Sequence, residues 1–374
     1  MIFGEGVAAE PLRILHLYHR GDFFTGAAIQ LWELASGLRA RGHHVVILTR
    51  SSPIWEAKCR EMGILHQALP MRRGLDLPSV VGLCRVIGQH RIQVVHCHKG
   101  LARTLALVAG LFVKIPVVIL NRGVSFPLNP LNRLGYTTRR VTAIVAVSES
   151  IKRGLVAQGI DAAKIEVIYS GTDTERFHPH VDGGAIRREL GLTSDHFLIT
   201  QVGIRSWRGN DDVLDAMARL ARRVPQARLL LVGARHPESV FERARARGVD
   251  GLVYVWGYRE DIPEILAASD VAVDASYAGV GLTGALREAL AVETPVIGTD
   301  LEGIPELIQD GETGLLVPSR NPEALAQAIL RVMENPVRAK EMARAGRKRV
   351  EALFSSGIKV ERTEALYRRL LARL

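Results

Sequence analysis

The chain has 374 residues, 47% hydrophobic and 24% charged, with only three cysteines. That length exceeds what one hydrophobic core usually organises, and the composition excludes a disordered chain or a small disulfide-stapled scaffold. The net charge of +10 lies entirely in the first half: residues 1–180 carry 22 Lys+Arg against 12 Asp+Glu, whereas residues 181–374 carry 27 of each.

The opening "MIFGEGVAAEPLRILHL" has no basic segment ahead of a long apolar run, so it does not read as a signal peptide. Apolar strand patterns follow as "RILHLYH", "HVVILT", "QVVHCH", "PVVIL" and "AIVAV", separated by amphipathic stretches such as "AAIQLWELASGLRARG". The longest apolar run, Thr104 to Leu120, is broken by Lys114 and Pro116, so helix followed by buried strand describes it better than a membrane span. The pattern restarts after residue 190 with "FLITQVG", "ARLLLVG", "LVYVWG", "VAVDAS" and "PVIGTD". Strands that are continuous apolar runs, alternating with helical patterns, predict parallel sheets covered on both faces. The fold class is therefore α/β, with two doubly wound, Rossmann-like halves that meet at a cleft beside the carboxyl ends of their strands. We place the halves at residues 1–178 and 179–352, with two charged helical segments from Pro336 to Leu374 closing the chain.

Two segments carry chemistry. In "SYAGVGLTGALREALAVETPVIGTDLEGIPELI", Ser276 to Ile308, a strand runs into Gly279, Gly281 and Gly284, and a helix opening near Leu282 carries Glu288 in its second turn. A strand, glycine loop and helix N-terminus together point free N–H groups at one spot, which suits a phosphate. In "GIRSWRGNDDVLDAM", Arg205 and Arg208 follow a strand end, where two cations can clamp a diphosphate. Both are open to the plainer reading of surface arginines. The cysteines Cys59, Cys84 and Cys97 have no metal-like spacing, and the pair His96 and His98 lacks carboxylate or thiolate support, so no metal is expected.

The glycine segment, with "VIYSGTDTERF" at the junction of the halves, resembles retaining glycosyltransferases of family 4 with the GT-B fold. The resemblance implies metal-independent transfer from a nucleoside-diphosphate-sugar, without a cofactor, to a hydroxyl of a glycolipid or polysaccharide acceptor in envelope glycan synthesis. Arg205 and Arg208 would stabilise the departing diphosphate, and Glu288 would hold the ribose. Gly26, Gly257, Tyr258, Thr283, Gly284, Ala285 and Leu286 would line the donor. His98 and Arg122, at strand ends, would face the sugar or acceptor. The last helix, residues 353–374, would cross back to the first half. Asp173 and Glu175 read as a turn and hinge, and Glu306 as a buttress of the cleft wall.

One position departs from the family. An acid is expected eight residues before Glu288, and Val280 stands there; a loop two residues longer would put the position on Ala278. The pocket should then be less polar and favour a deoxy or N-acetylated sugar, with Thr283 as the nearest hydroxyl. A silent relative that binds a nucleotide or glycan within an envelope-assembly complex is the second reading, and a sugar-nucleotide epimerase the third. The basic first half is open either to contact with an anionic membrane, at the inner face of a cytoplasmic location, or to plain solvation. It lacks the aromatic interleaving of a single-strand nucleic-acid binder, so no nucleic acid is expected.

Overall fold

The computed structural model describes residues 10–374, so most of the opening segment read against a signal peptide, residues 1–9, lies outside the described residues. The first sheet holds seven parallel strands: β1 (Arg13–Tyr18), β2 (His44–Thr49), β3 (Leu65–Ala68), β4 (Val94–His98), β5 (Val117–Arg122), β6 (Ala143–Ala146) and β7 (Ile165–Val167), in the order β3-β2-β1-β4-β5-β6-β7. The second holds six: β8 (Phe197–Val202), β9 (Ala227–Val232), β10 (Val253–Trp256), β11 (Val271–Asp274), β12 (Val296–Thr299) and β13 (Leu315–Val317), in the order β10-β9-β8-β11-β12-β13. Helices cover both faces. The ten strands expected from apolar runs are all present, and the segment "GETGLLV" supplies the short edge strand β13. Two others were not expected. β3 reads "LHQA" and is largely exposed, and β7 is the three-residue "IEV". Edge strands this short bury too little to write an apolar run into the sequence.

Strand order reverses between β1 and β4 in the first sheet and between β8 and β11 in the second. At such switch points the flanking loops diverge and leave a crevice at the carboxyl ends of the strands. The two crevices face each other. Phe24 stacks edge-on against Tyr258 with ring centroids 4.4 Å apart, and Phe126 meets Trp207 at 5.6 Å. Behind the cleft the junction segment is held by Asp173, whose Oδ1 accepts from the N–H groups of Glu175 and Arg176 at 3.0 and 3.1 Å. That is the turn expected of it.

The chain ends in two helices, Pro336–Leu353 and Ser356–Leu371. The second packs on the helix Gly26–Ala40 of the first sheet, where Lys359 Nζ donates to Gln30 O at 2.5 Å and Gln30 Oε1 at 2.8 Å. Tyr367 and Leu370 of the same helix enter the core around β1 and β5. Among the described residues no helix is long and apolar enough to cross a membrane.

Candidate functional site

The cleft gathers cations from both switch points. Arg205 and Arg208 follow β8, and Arg208 ends a short 3₁₀ turn, Ser206–Arg208. Arg235 follows β9, while Arg20 and Lys99 come from the ends of β1 and β4 in the facing sheet. Burial first, and then the charges of Arg235, Arg208 and Arg20, push the Arg205 pKa down. Lys99 is lowered in the same way, by burial and then by Arg20, with Asp22 opposing. Cations that depress one another make a site where a polyanion is favoured. Sequence reading found Arg205 and Arg208. It missed Arg20, Lys99 and Arg235, each within three residues of an apolar strand end, because only the topology shows which strand ends converge.

Opposite the cations stands the glycine loop. Its organiser is Asp274 at the end of β11, 2% exposed. One carboxylate oxygen accepts from Arg208 and from the Thr283 hydroxyl at 2.7 Å; the other accepts from Ser276 N at 3.0 Å. A buried carboxylate with this many donors fixes both ends of the loop and the guanidinium beside it. The helix that follows runs Gly284–Ala291, opening two residues later than Leu282, and its N-cap Thr283 makes no side-chain cap bond. The N–H groups of Gly284, Ala285 and Leu286 thus form an uncapped first turn, the end of a helix that favours an anion. Leu286 itself is fully buried in the core, so it can serve a ligand only through its backbone. The Thr283 hydroxyl is committed to Asp274, which removes it as a free group for a sugar.

Glu288 sits in the second turn of that helix, half-buried, and burial raises its carboxyl above the usual range, with Arg287 opposing. Arg287 is 2% exposed and donates to Ser170 O at 2.5 Å, tying the helix to the junction. A carboxyl raised by burial gains from accepting hydroxyl donors, which is what a ribose offers.

The remaining expectations divide. Gly279 and Gly281 do allow close approach, but to the first domain: a Cβ on Gly279 would strike Phe126, and one on Gly281 would meet Gly123 O at 2.5 Å. Gly284 has no such neighbour. Gly26 opens its helix after the N-cap Thr25, and a Cβ there would meet open space, so nothing in the fold demands glycine. Gly257 O accepts from Gly233 N at 3.0 Å, and Tyr258 is half-exposed against Phe24, across the cleft. Arg122 ends β5 and donates to Phe126 O within its own loop. Glu306 buttresses the wall as expected, accepting from Glu149 N at 2.8 Å and Ser150 N at 2.7 Å.

His98 does not face an open cleft. It is 4% exposed, and its Nε2 lies 3.1 Å from His16 Nδ1. His96, the neighbour read as core packing, is buried with its Nδ1 2.6 Å from Tyr367 Oη. The three imidazoles bring potential ligand atoms within 4.8 Å of one another, the only such group among the described residues. Burial pushes His16 down to about 3 and His98 well below its usual value, and His16 Nε2 and His96 Nε2 are buried without a hydrogen-bond partner among the described residues.

Two facing parallel α/β domains, with a cationic cleft between their switch points, define the GT-B architecture. Comparison with known proteins specifies it further. Residues 24–176 match the model "Glycosyltransferase Family 4", and residues 197–335 match "Glycosyl transferases group 1". The chain is 26% identical to EpsD of Bacillus subtilis over 325 residues, covering 80% of this chain and 84% of EpsD. It is also 26% identical to the N-acetyl-alpha-D-glucosaminyl L-malate synthase of Bacillus anthracis over 365 residues, covering 91% and 93% of the two chains. The structure of Anabaena HepE in complex with UDP and glucose superposes with a TM-score of 0.85 at 19% identity, covering 96% of this chain and 100% of HepE. The chain belongs to glycosyltransferase family 4 and is an enzyme of the glycosyltransferase class.

Proposed function

We propose that the protein transfers a sugar from a nucleoside-diphosphate-sugar to a hydroxyl of a lipid- or polysaccharide-linked acceptor in envelope glycan synthesis, with retention at the anomeric carbon. The cluster of Arg20, Lys99, Arg205, Arg208 and Arg235, tied through Arg208 to Asp274 and Thr283 at the start of the uncapped Gly284 helix, carries this reading. That HepE was solved with UDP in the same fold agrees with it. In the step, the bond from the anomeric carbon to the phosphate oxygen breaks and its electron pair stays on the diphosphate. The acceptor oxygen bonds to that carbon on the same face, and its proton passes to the leaving phosphate. No protein nucleophile and no metal is required. Arg205 and Arg208 stabilise the charge that grows on the leaving group, and Glu288 holds the ribose.

The acceptor half has features suited to an anionic surface. Leu75 and Leu77 are 75% and 67% exposed beside the exposed Arg72 and Arg73. Phe112, 72% exposed, lies near the exposed Lys114. Apolar tips among cations fit a headgroup layer better than bulk water, and we propose peripheral contact there.

The test is a calorimetric screen of nucleoside diphosphates and their sugar conjugates, followed by mass spectrometry of donor hydrolysis. Tight binding of one nucleoside diphosphate with slow release of sugar is expected. Failure of every nucleotide to bind the folded protein would refute the reading.

A further inference from the structure

The acid that the family resemblance leads one to expect at Val280 or Ala278 is absent from both positions, but a carboxylate lies beside Val280. Glu302, in the loop after β12, reaches across so that its Oε2 accepts from Val280 N at 2.5 Å. The backbone makes an unusual concession to bring it there: Glu302 has φ +54, in the left-handed region that favours glycine. The two loops interlock at this point. A Cβ on Gly303 would come within 1.7 Å of Gly281 O, and Gly281 in turn packs on Gly123 of the first domain. Val280 is 5% exposed with an apolar side chain, whereas Glu302 is half-buried and its second oxygen, Oε1, accepts no hydrogen bond among the described residues. Thr283, at the mouth of the phosphate cradle, is three positions after Val280, a span of at most about 10 Å. That is the reach of a sugar attached to a diphosphate held there.

We propose that Glu302 supplies, from the neighbouring loop, the carboxylate that anchors hydroxyls of the transferred sugar, in place of the acid expected at position 280 or 278. The proposal rests on the nucleotide-sugar reading above. One oxygen is fixed by Val280 N–H, which orients the group, and the other is left for the ligand. Charge-assisted bonds to a half-buried carboxylate are stronger than those a neutral group makes. With Glu302 in the pocket, a hydroxyl-rich hexose is not penalised, contrary to what Val280 alone suggests. The competing account is that Glu302 does no more than cap the Val280 N–H.

Two variants separate these. Glu302→Gly relieves the left-handed strain and keeps the fold, and Glu302→Gln keeps an acceptor for Val280 while removing the charge. Calorimetry then compares the preferred nucleoside diphosphate with its hexose conjugate. The expected result is unchanged affinity for the bare nucleotide and at least a tenfold loss for the conjugate, about 1.4 kcal/mol. The pair Val280→Glu with Glu302→Gly should recover part of that loss. Equal weakening of both ligands would make Glu302 a loop cap and overturn the proposal. So would a sugar preference that survives both substitutions. If the wild type binds the nucleotide but gains nothing from the sugar, this proposal fails while the nucleotide site stands; if it binds neither, both fail.

Discussion

Arg205 and Arg208 are assigned the same chemical task, yet the structure gives them different structural duties, and this makes their alanine variants informative. Arg208 pairs with Asp274, a carboxylate 2% exposed that also holds Ser276 and Thr283. Removing the guanidinium leaves that carboxylate buried with only neutral donors. Breaking such a pair typically costs about 3–5 kcal/mol, and the one-fifth exposure of the Arg208 side chain puts this case at the lower end. Among the described residues Arg205 makes a single side-chain bond, to the backbone O of Ile204 at 2.6 Å, and its cationic neighbours oppose it. Arg205→Ala should therefore change stability by no more than about 0.5 kcal/mol. Both variants should raise the transfer barrier by about 2.7–4 kcal/mol, as loss of a donor to a developing charge does. Urea denaturation and steady-state turnover of the two proteins provide the comparison. If Arg208→Ala is as stable as wild type, Asp274 is not held by that pair. If Arg205→Ala turns over normally, the cation cluster is not the leaving-group site.

Other outcomes follow from the same contacts. Burial alone would raise the Glu364 carboxyl, but hydrogen bonds from Arg368 and Arg41 and the nearby His43 hold it down at about 2. A depressed carboxyl contributes stability that is present above its ordinary value of 4.5 and lost as pH falls toward 2, here about 3 kcal/mol at most; thermal melts of Glu364→Gln should accordingly show a shallower decline than wild type across that window, and identical slopes would refute the linkage. Gly303→Ala places a Cβ against Gly281 O, so it should cost about 1–3 kcal/mol and weaken nucleotide binding, and an unperturbed melting temperature would show that the two loops are not interlocked. Flotation with anionic liposomes should be reversed by salt and absent with neutral ones; equal behaviour with both would argue for a soluble acceptor.

Much of this fold was legible because parallel strands buried on both faces must be apolar along their length. The runs at β1, β4, β8 and β11 could hardly be anything else. The same physics hid β3 and β7, whose edge positions do not ask for apolar runs. Candidate residues could be picked out where a charged side chain stands beside a strand or in the helix that follows it, as with Arg205, Arg208 and Glu288. The site was not readable where partners meet only through topology. Lys99 and Arg205 are 106 positions apart and at the ends of strands in different sheets, and only the facing of the two domains makes them neighbours. His98 shows the opposite failure: a polar residue at a strand end was read as cleft-facing, when it is buried against His16 of β1, beside His96, which Tyr367 of the last helix covers. Glu302 was invisible for a further reason. Its role depends on a backbone conformation that no periodicity or spacing announces.

The account stands on a nucleoside diphosphate lying between the cation cluster and the Gly284 helix, with its ribose on Glu288. Calorimetric titration of nucleoside diphosphates into the wild type and into Glu288→Ala tests this most directly. The account predicts saturable binding by the wild type that weakens by about 1.5–3 kcal/mol in the variant, the usual cost of losing a hydrogen bond to a charged group. Unchanged affinity in a folded Glu288→Ala protein, or no binding by the wild type, would contradict it.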